Sequence, residues 1–291
     1  MKGQLEKIFT KDKIALNGLF FRPEKQKNKA VLFIHGFPGN FYVNHEIING
    51  LADKFYKSNV GFFSMNTRGH DIMNITFKKN NKPLVLGSSF EKFENCISDI
   101  DAGVKFLNKQ GFNQIVLIGI SSGADKVGYY LSKKHDKLIT GGIFLSPGAN
   151  ILIIKKELKN KFKLLLKKAF RAVKENKRNE LIIEPEMNFP VSCQRFISLY
   201  DEESNENVFP FHNKKAKFKS LSKIKVPILV IMGDRDSYLY NYNPKSIAKL
   251  LEEKTKNTKK FSFKIVKKAN HSFKDKEKKL VAIIDDWINE M

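Results

Sequence analysis

The chain has 291 residues, 42% of them hydrophobic and 12% aromatic, enough to bury a sizeable core and to exclude global disorder. Its 53 basic residues outnumber 30 acidic ones for a formal net charge of +23, yet only six are Arg, so Lys supplies almost all of the positive charge. Specific phosphate and base readers favour the Arg fork, so no specific nucleic-acid partner is expected; the Lys excess reads mainly as compositional background. Two distant cysteines, Cys96 and Cys193, exclude a disulfide scaffold or zinc module. The first residues hold no apolar signal region, and no uncharged run of about 18 residues occurs, so a cytoplasmic protein is expected.

In chain order, Leu5–Phe9 and Ile14–Phe21 suit an antiparallel opening hairpin. Ala30–Ile34 reads as a buried strand, residues 45–57 as a helix, Val60–Met65 as a strand and 92–110 as a helix. In that last helix Ile97, Ile100, Val104 and Leu107 recur at three- and four-residue steps. Strand Ile115–Gly119, helix 122–134 and strand Ile139–Leu145 follow. After a gap come strand Pro227–Met232, helix 244–255, strand Phe261–Val266 and helix 275–289. Near-continuous apolar strands alternating with helices predict an α/β protein with a mostly parallel central sheet covered on both faces.

The gap spans about 80 residues, far more than a crossover needs. It predicts a helical cap over 147–225, inserted between core parts 1–146 and 226–291. Within it, residues 155–178 hold eleven Lys or Arg against two Glu, so +9 is concentrated on one predicted helix. Ile154, Leu158, Phe162, Leu165, Ala169 and Val173 give that helix an apolar stripe. The stripe is expected to pack on the core with Lys facing water; the alternative is a lid helix contacting an anionic membrane or drawing in anionic acyl substrates. Asp201–Asn213, acidic and Asn-rich, reads as a loop.

The chemistry concentrates at strand ends. Gly119-Ile120-Ser121-Ser122-Gly123 joins a buried strand directly to a helix, the setting of a nucleophile elbow. Side chains in place of either glycine would collide with the neighbouring strand and helix, and the helix N-terminus beneath Ser121 favours developing negative charge. His35-Gly36-Phe37-Pro38-Gly39 closes another strand and would present the Phe37 N–H to an oxyanion, with Ser122 N–H as second donor. His35 itself is expected to fix that loop rather than act as base. After the insertion, Gly233-Asp234-Arg235-Asp236 and the loop carrying His271 follow consecutive strands. An Asp and His271 can therefore meet Ser121 at the carboxyl edge of the sheet. Arg68 and His70 read as loop ties, Asp125 as a complement to the helix dipole, and the cysteines as ordinary thiols. The aromatic stretch from Tyr238 to Tyr242 suits either a pocket wall or surface packing.

HGFPGN (35–40), NTRGHD (66–71), GISSG (119–123), GDRD (233–236) and NHSF (270–273) together resemble the α/β-hydrolase superfamily of serine hydrolases, near its esterase, lipase and acylglycerol-lipase-like members. The resemblance covers nearly the whole chain except the cap. It implies Ser121 as nucleophile, His271 as base and Asp236 as acid, with Asp234 second. It also implies cleavage of carboxylic esters or thioesters through an acyl-enzyme, without metal or cofactor. A peptidase or carbon–carbon-bond hydrolase on the same residues, or a non-catalytic scaffold binding membrane or nucleic acid, are the alternatives. Ile120, where many members carry a polar group, makes one pocket wall more apolar. The residues that contact substrate and the oligomeric state stay open.

Overall fold

The computed structural model describes every residue except Met1, Gln26, Lys27, Ala149 and Lys214. In chain order its first half runs β1 (Gly3–Phe9), β2 (Ala15–Phe21), β3 (Lys29–Ile34), α1 (His45–Lys57), β4 (Gly61–Met65), β5 (Asn74–Phe77), β6 (Pro83–Leu86), α2 (Cys96–Lys109), β7 (Gln114–Ile120), α3 (Ser122–Lys133) and β8 (Ile139–Leu145). The insertion holds α4 (Asn150–Leu158), α5 (Lys161–Lys174), β9 (Leu181–Ile182), β10 (Val191–Ser192) and α6 (Cys193–Tyr200). The chain closes with β11 (Ile228–Gly233), α7 (Pro244–Lys254), β12 (Phe261–Val266) and α8 (Glu277–Asn289).

Eight strands form one sheet in the order β1-β2-β4-β3-β7-β8-β11-β12. Only β2 runs against the others, pairing antiparallel with both β1 and β4. Alternation along each strand feeds two cores. Ala30, Leu32 and Ile34 of β3 join Ile115 and Leu117 of β7 under α2, α3 and α7. Val31 and Phe33 join Val116, Ile118 and Ile120 under α1 and α8. This is an α/β-hydrolase fold. Strand order reverses at β3, whose chain successor β4 lies on one side and β7 on the other. The loops leaving β3 and β7 therefore diverge and open a crevice at the carboxyl edge.

The insertion differs from expectation in three ways. The basic stretch is two helices rather than one, because Lys159 at φ 47° turns the chain between α4 and α5. Its apolar stripe does not lie on the sheet core. Ile154, Leu158, Phe162, Leu165 and Ala169 pack instead with Ile182, Val191, Cys193 and Phe196 in a small core of the insertion's own. Asp201–Asn213 has no regular structure, as expected, yet it is not simply solvated. Val208, Phe209 and Phe211 are buried in the main core, and the Phe209 ring meets Phe144 edge-on at 5.1 Å.

A feature without a counterpart in the sequence reading is the β5–β6 hairpin. It is pinned beside the start of β2, where Thr76 Oγ1 donates to the Ala15 carbonyl at 2.9 Å and Lys79 N–H to the Lys13 carbonyl at 2.8 Å.

Candidate active site

Ser121 follows β7 with φ 54° and ψ −127°, a backbone conformation that L-residues avoid and that a tight strand-to-helix turn imposes. The flanking glycines are sterically required. A Cβ at Gly119 would lie 2.1 Å from the Gly123 carbonyl oxygen, and one at Gly123 2.4 Å from that of Ile34. The Ser121 N–H donates to the Leu145 carbonyl at 2.8 Å, which ties the elbow to β8.

The loop after β12 brings His271 over this elbow. Its Nε2 lies 2.9 Å from Ser121 Oγ, and its Nδ1 lies 2.9 Å from each carboxylate oxygen of Asp236. The Asp236 side chain is buried, and its Oδ1 also accepts the Tyr238 N–H at 2.8 Å. Nδ1 thus donates to the carboxylate, which leaves Nε2 free to accept the serine hydroxyl. Asp234, the other acid considered, is exposed and accepts the Lys268 N–H at 2.6 Å, so it shapes the β12 loop. Tyr238 stacks on the His271 ring with centroids 4.1 Å apart, placing that aromatic stretch at the site.

Phe37 and Ser122 border the same cavity as Ser121. Among the described residues, nothing accepts the backbone N–H of either. His35 lies beneath, fully buried. Its Nδ1 faces the Gly36 carbonyl at 2.9 Å, and its Nε2 accepts the Thr67 N–H at 3.1 Å. Burial, then the Lys126 charge, holds its imidazole at about 3, so it stays neutral and fixes the loop. Arg68 bridges buried Asp99 and Asp12 as a loop tie. His70 Nδ1 lies 2.8 Å from Asp71. Asp125 stands buried in the first turn of α3, where burial, then the Glu206 charge, pushes its carboxyl up.

Two cavities flank Ser121. One of about 260 Å³ lies under the insertion and reaches Glu157, Phe189 and Tyr200. The other, of about 240 Å³, is lined by Gly36, Val43, Ile120 and His271, with Ile120 forming part of its apolar wall. Tyr238 borders both.

A buried polar chain absent from the sequence reading runs beneath the site. Arg195 of α6 is fully buried and binds Glu206 with two nitrogens, one of them 2.8 Å from Oε1. It lies 3.5 Å from Glu91, and its guanidinium covers the Phe37 ring at 5.3 Å. Glu91 pairs with Lys126 of α3 at 2.7 Å, and Lys126 donates to Thr67 Oγ1 at 3.0 Å. Thr67 reaches His35, so charges from the insertion connect to the floor of the crevice. The Lys126 and Arg195 charges hold the Glu91 carboxyl low against its burial. Only Arg195 carried a local signal, a charge amid the apolar CQRFISLY segment.

Among the described residues, no group of His, Cys, Asp and Glu is placed to hold a metal ion. No helix among them is long and apolar enough to cross a membrane.

Residues 85–289 match the family DUF1749, described as a protein of unknown function. The chain belongs to this family. The DUF1749 chain is also 24% identical over 238 residues to "Putative esterase/lipase 3" of Mycoplasma genitalium, covering 76% of this chain and 74% of that protein. Its fold is similar to the siderophore hydrolase EstB from Aspergillus fumigatus, with a TM-score of 0.71 and 16% identity over 100% of this chain and 98% of that one. It is likewise similar to Est1E from Butyrivibrio proteoclasticus with ferulic acid bound, with a TM-score of 0.67 and 18% identity over 97% and 98%. The DUF1749 chain is thus an esterase/lipase-like α/β hydrolase.

Proposed function

We propose that the protein is a serine hydrolase that cleaves carboxylic esters or thioesters through an acyl-enzyme on Ser121. The observation that carries this reading is the continuous Asp236–His271–Ser121 hydrogen-bonded run, mounted on a strained elbow beside two uncommitted N–H groups.

His271 Nε2 takes the Ser121 proton as Oγ attacks the carbonyl carbon. The tetrahedral oxygen accepts from Phe37 and Ser122 N–H, and Asp236 stabilises the imidazolium. Collapse expels the alcohol or thiol, which leaves with the proton from Nε2. Water, deprotonated by the same nitrogen, then attacks the acyl carbon and Ser121 is regenerated. No cofactor enters this cycle. The esterase and hydrolase names among the similar proteins favour esters over peptide or carbon–carbon bonds.

Fluorophosphonate labelling followed by peptide mapping tests the assignment. The label is expected on Ser121, and Ser121→Ala is expected to lose at least about 10³-fold in ester turnover. Near-normal turnover in that variant would overturn the reading. We place the enzyme in the cytoplasm, in keeping with two free, buried thiols. We treat residues 147–225 as a cap over the crevice. To the outer face of α5 we assign contact with an anionic lipid surface, because Leu164 and Phe170 stand 69% and 41% exposed among Lys163, Lys167 and Lys174.

A further inference from the structure

The protein carries a net charge of +23, yet among the described residues no Lys or Arg lines the cavity under the insertion. The reason lies in the register of α4. Asn150, Ile153, Ile154 and Glu157 share one helix face by their spacing, and all four border the cavity. The helix's lysines are engaged elsewhere: Lys155 pairs with Glu202 at 2.7 Å, and the Lys156 ammonium stands 5.9 Å from the Tyr240 ring centroid. Among the described residues Glu157, itself exposed, is therefore the one charged residue lining this cavity, and it has no ion-pair or hydrogen-bond partner. Phe37, Phe189, Tyr200 and Tyr238 supply aromatic surface to the same cavity. Burial is the main cause that raises the Tyr200 and Tyr238 hydroxyls, and the Glu157 charge adds to both.

The two cavities also divide the substrate. A leaving oxygen must depart beside His271 Nε2 to receive its proton, and His271 borders only the opposite cavity. The cavity under the insertion adjoins Ser121, Phe37 and Ser122 without His271, which suits the acyl side of the scissile bond.

We infer that the cavity under the insertion is an acyl subsite selective for a cationic group, an ammonium held by Glu157 within an aromatic wall, and that it disfavours carboxylate-bearing acyl chains. This rests on the Ser121 reading and narrows its substrate class. It also opposes the alternative reading in which the basic insertion draws anionic acyl substrates to the crevice. A carboxylate repels a like charge and attracts an ammonium, while aromatic faces add cation–π attraction.

The test uses three p-nitrophenyl esters sharing one leaving group: that of γ-trimethylammoniobutyrate, that of its uncharged tert-butyl isostere, and the glutarate half-ester. After correction for intrinsic alkaline reactivity, kcat/KM is expected to rank cationic, neutral, anionic. In Glu157→Gln the cationic-to-neutral ratio is expected to fall roughly 2- to 5-fold, the scale of a solvent-accessible ion pair. Glu157→Lys is expected to raise the anionic ester relative to the neutral one. Glu175→Gln changes net charge equally on the exposed insertion surface, where Glu175 pairs with Arg171, and should leave the ratio unchanged. A wild-type preference for the glutarate ester, or equal shifts in the ratio from Glu157→Gln and Glu175→Gln, would overturn the inference. Hydrolysis of the neutral ester reports on the Ser121 reading alone, so the two can fail separately.

Discussion

The sheet core and the insertion are stabilised in different ways. In the core, strands such as β3 and β7 bury apolar residues on both faces, and the position of Ser121 is set by backbone contacts at Gly119 and Gly123. The insertion has a thin apolar core of its own and reaches the crevice through buried charges, with Arg195 held between Glu206 and Glu91. The core thus places atoms by sterics, which vary little with conditions. The insertion is fastened both by Val208, Phe209 and Phe211 in the main core and by this ion cluster, whose removal by halves leaves an uncompensated buried charge.

Four measurements break or sharpen that contrast. The largest effect is expected in the core: Asp236→Asn should lower kcat about 10⁴-fold with the fold intact, because an amide favours the wrong His271 tautomer. A loss under tenfold, by steady-state kinetics, would remove Asp236 from the reacting run. In the insertion, Arg195→Met should cost about 3–5 kcal/mol in urea unfolding by stranding Glu206. It should also reduce kcat through the Phe37 loop it covers, and Arg195→Lys should restore part of both. Unchanged stability in Arg195→Met would mean that apolar packing alone fastens the insertion.

His35 supplies a pH test where the two regions join. Its folded-state value of about 3 lies below its ordinary 6.5. Its neutral form therefore adds stability that is full above the ordinary value and is lost as pH falls toward the folded one. Within that window the slope is about 1.4 kcal/mol per pH unit. His35→Gln should flatten it in urea titrations, and the wild-type ring signal should stay that of neutral imidazole down to about pH 4. An unchanged slope together with a ring that titrates near its ordinary value would contradict the buried polar chain. The smallest effect concerns the outer face of α5. Sedimentation with anionic vesicles at low salt should exceed that with neutral ones, by about 1 kcal/mol for each engaged Lys. No preference would remove the lipid contact.

The core was readable because its signals are local. Strand runs of five to seven residues and a Gly-flanked serine at a strand-to-helix junction constrain structure within a few neighbouring positions. The expected helix over 45–57 matches α1 residue for residue. The stretch between β8 and β11 was readable only in its helicity. Its stripe announced that it must be buried but not against what, and the partner turned out to be α6 with the β9–β10 pair. The break at Lys159 had no marker, since no Gly or Pro stands there and only packing in the folded chain selects a positive φ.

By itself, the sequence determined the α/β alternation and put forward Ser121, an acid at Asp236 or Asp234, and His271 as candidates, because periodicity and turn chemistry are properties of short segments. The tertiary structure alone decided that Asp236 rather than Asp234 faces His271, that Arg195 and Lys126 meet over Glu91, and that Glu157 has no partner among the described residues in a chain rich in Lys. The physical reason is distance. Coulomb and hydrogen-bond partners are chosen by ångströms between elements far apart in the chain, and no local pattern records them.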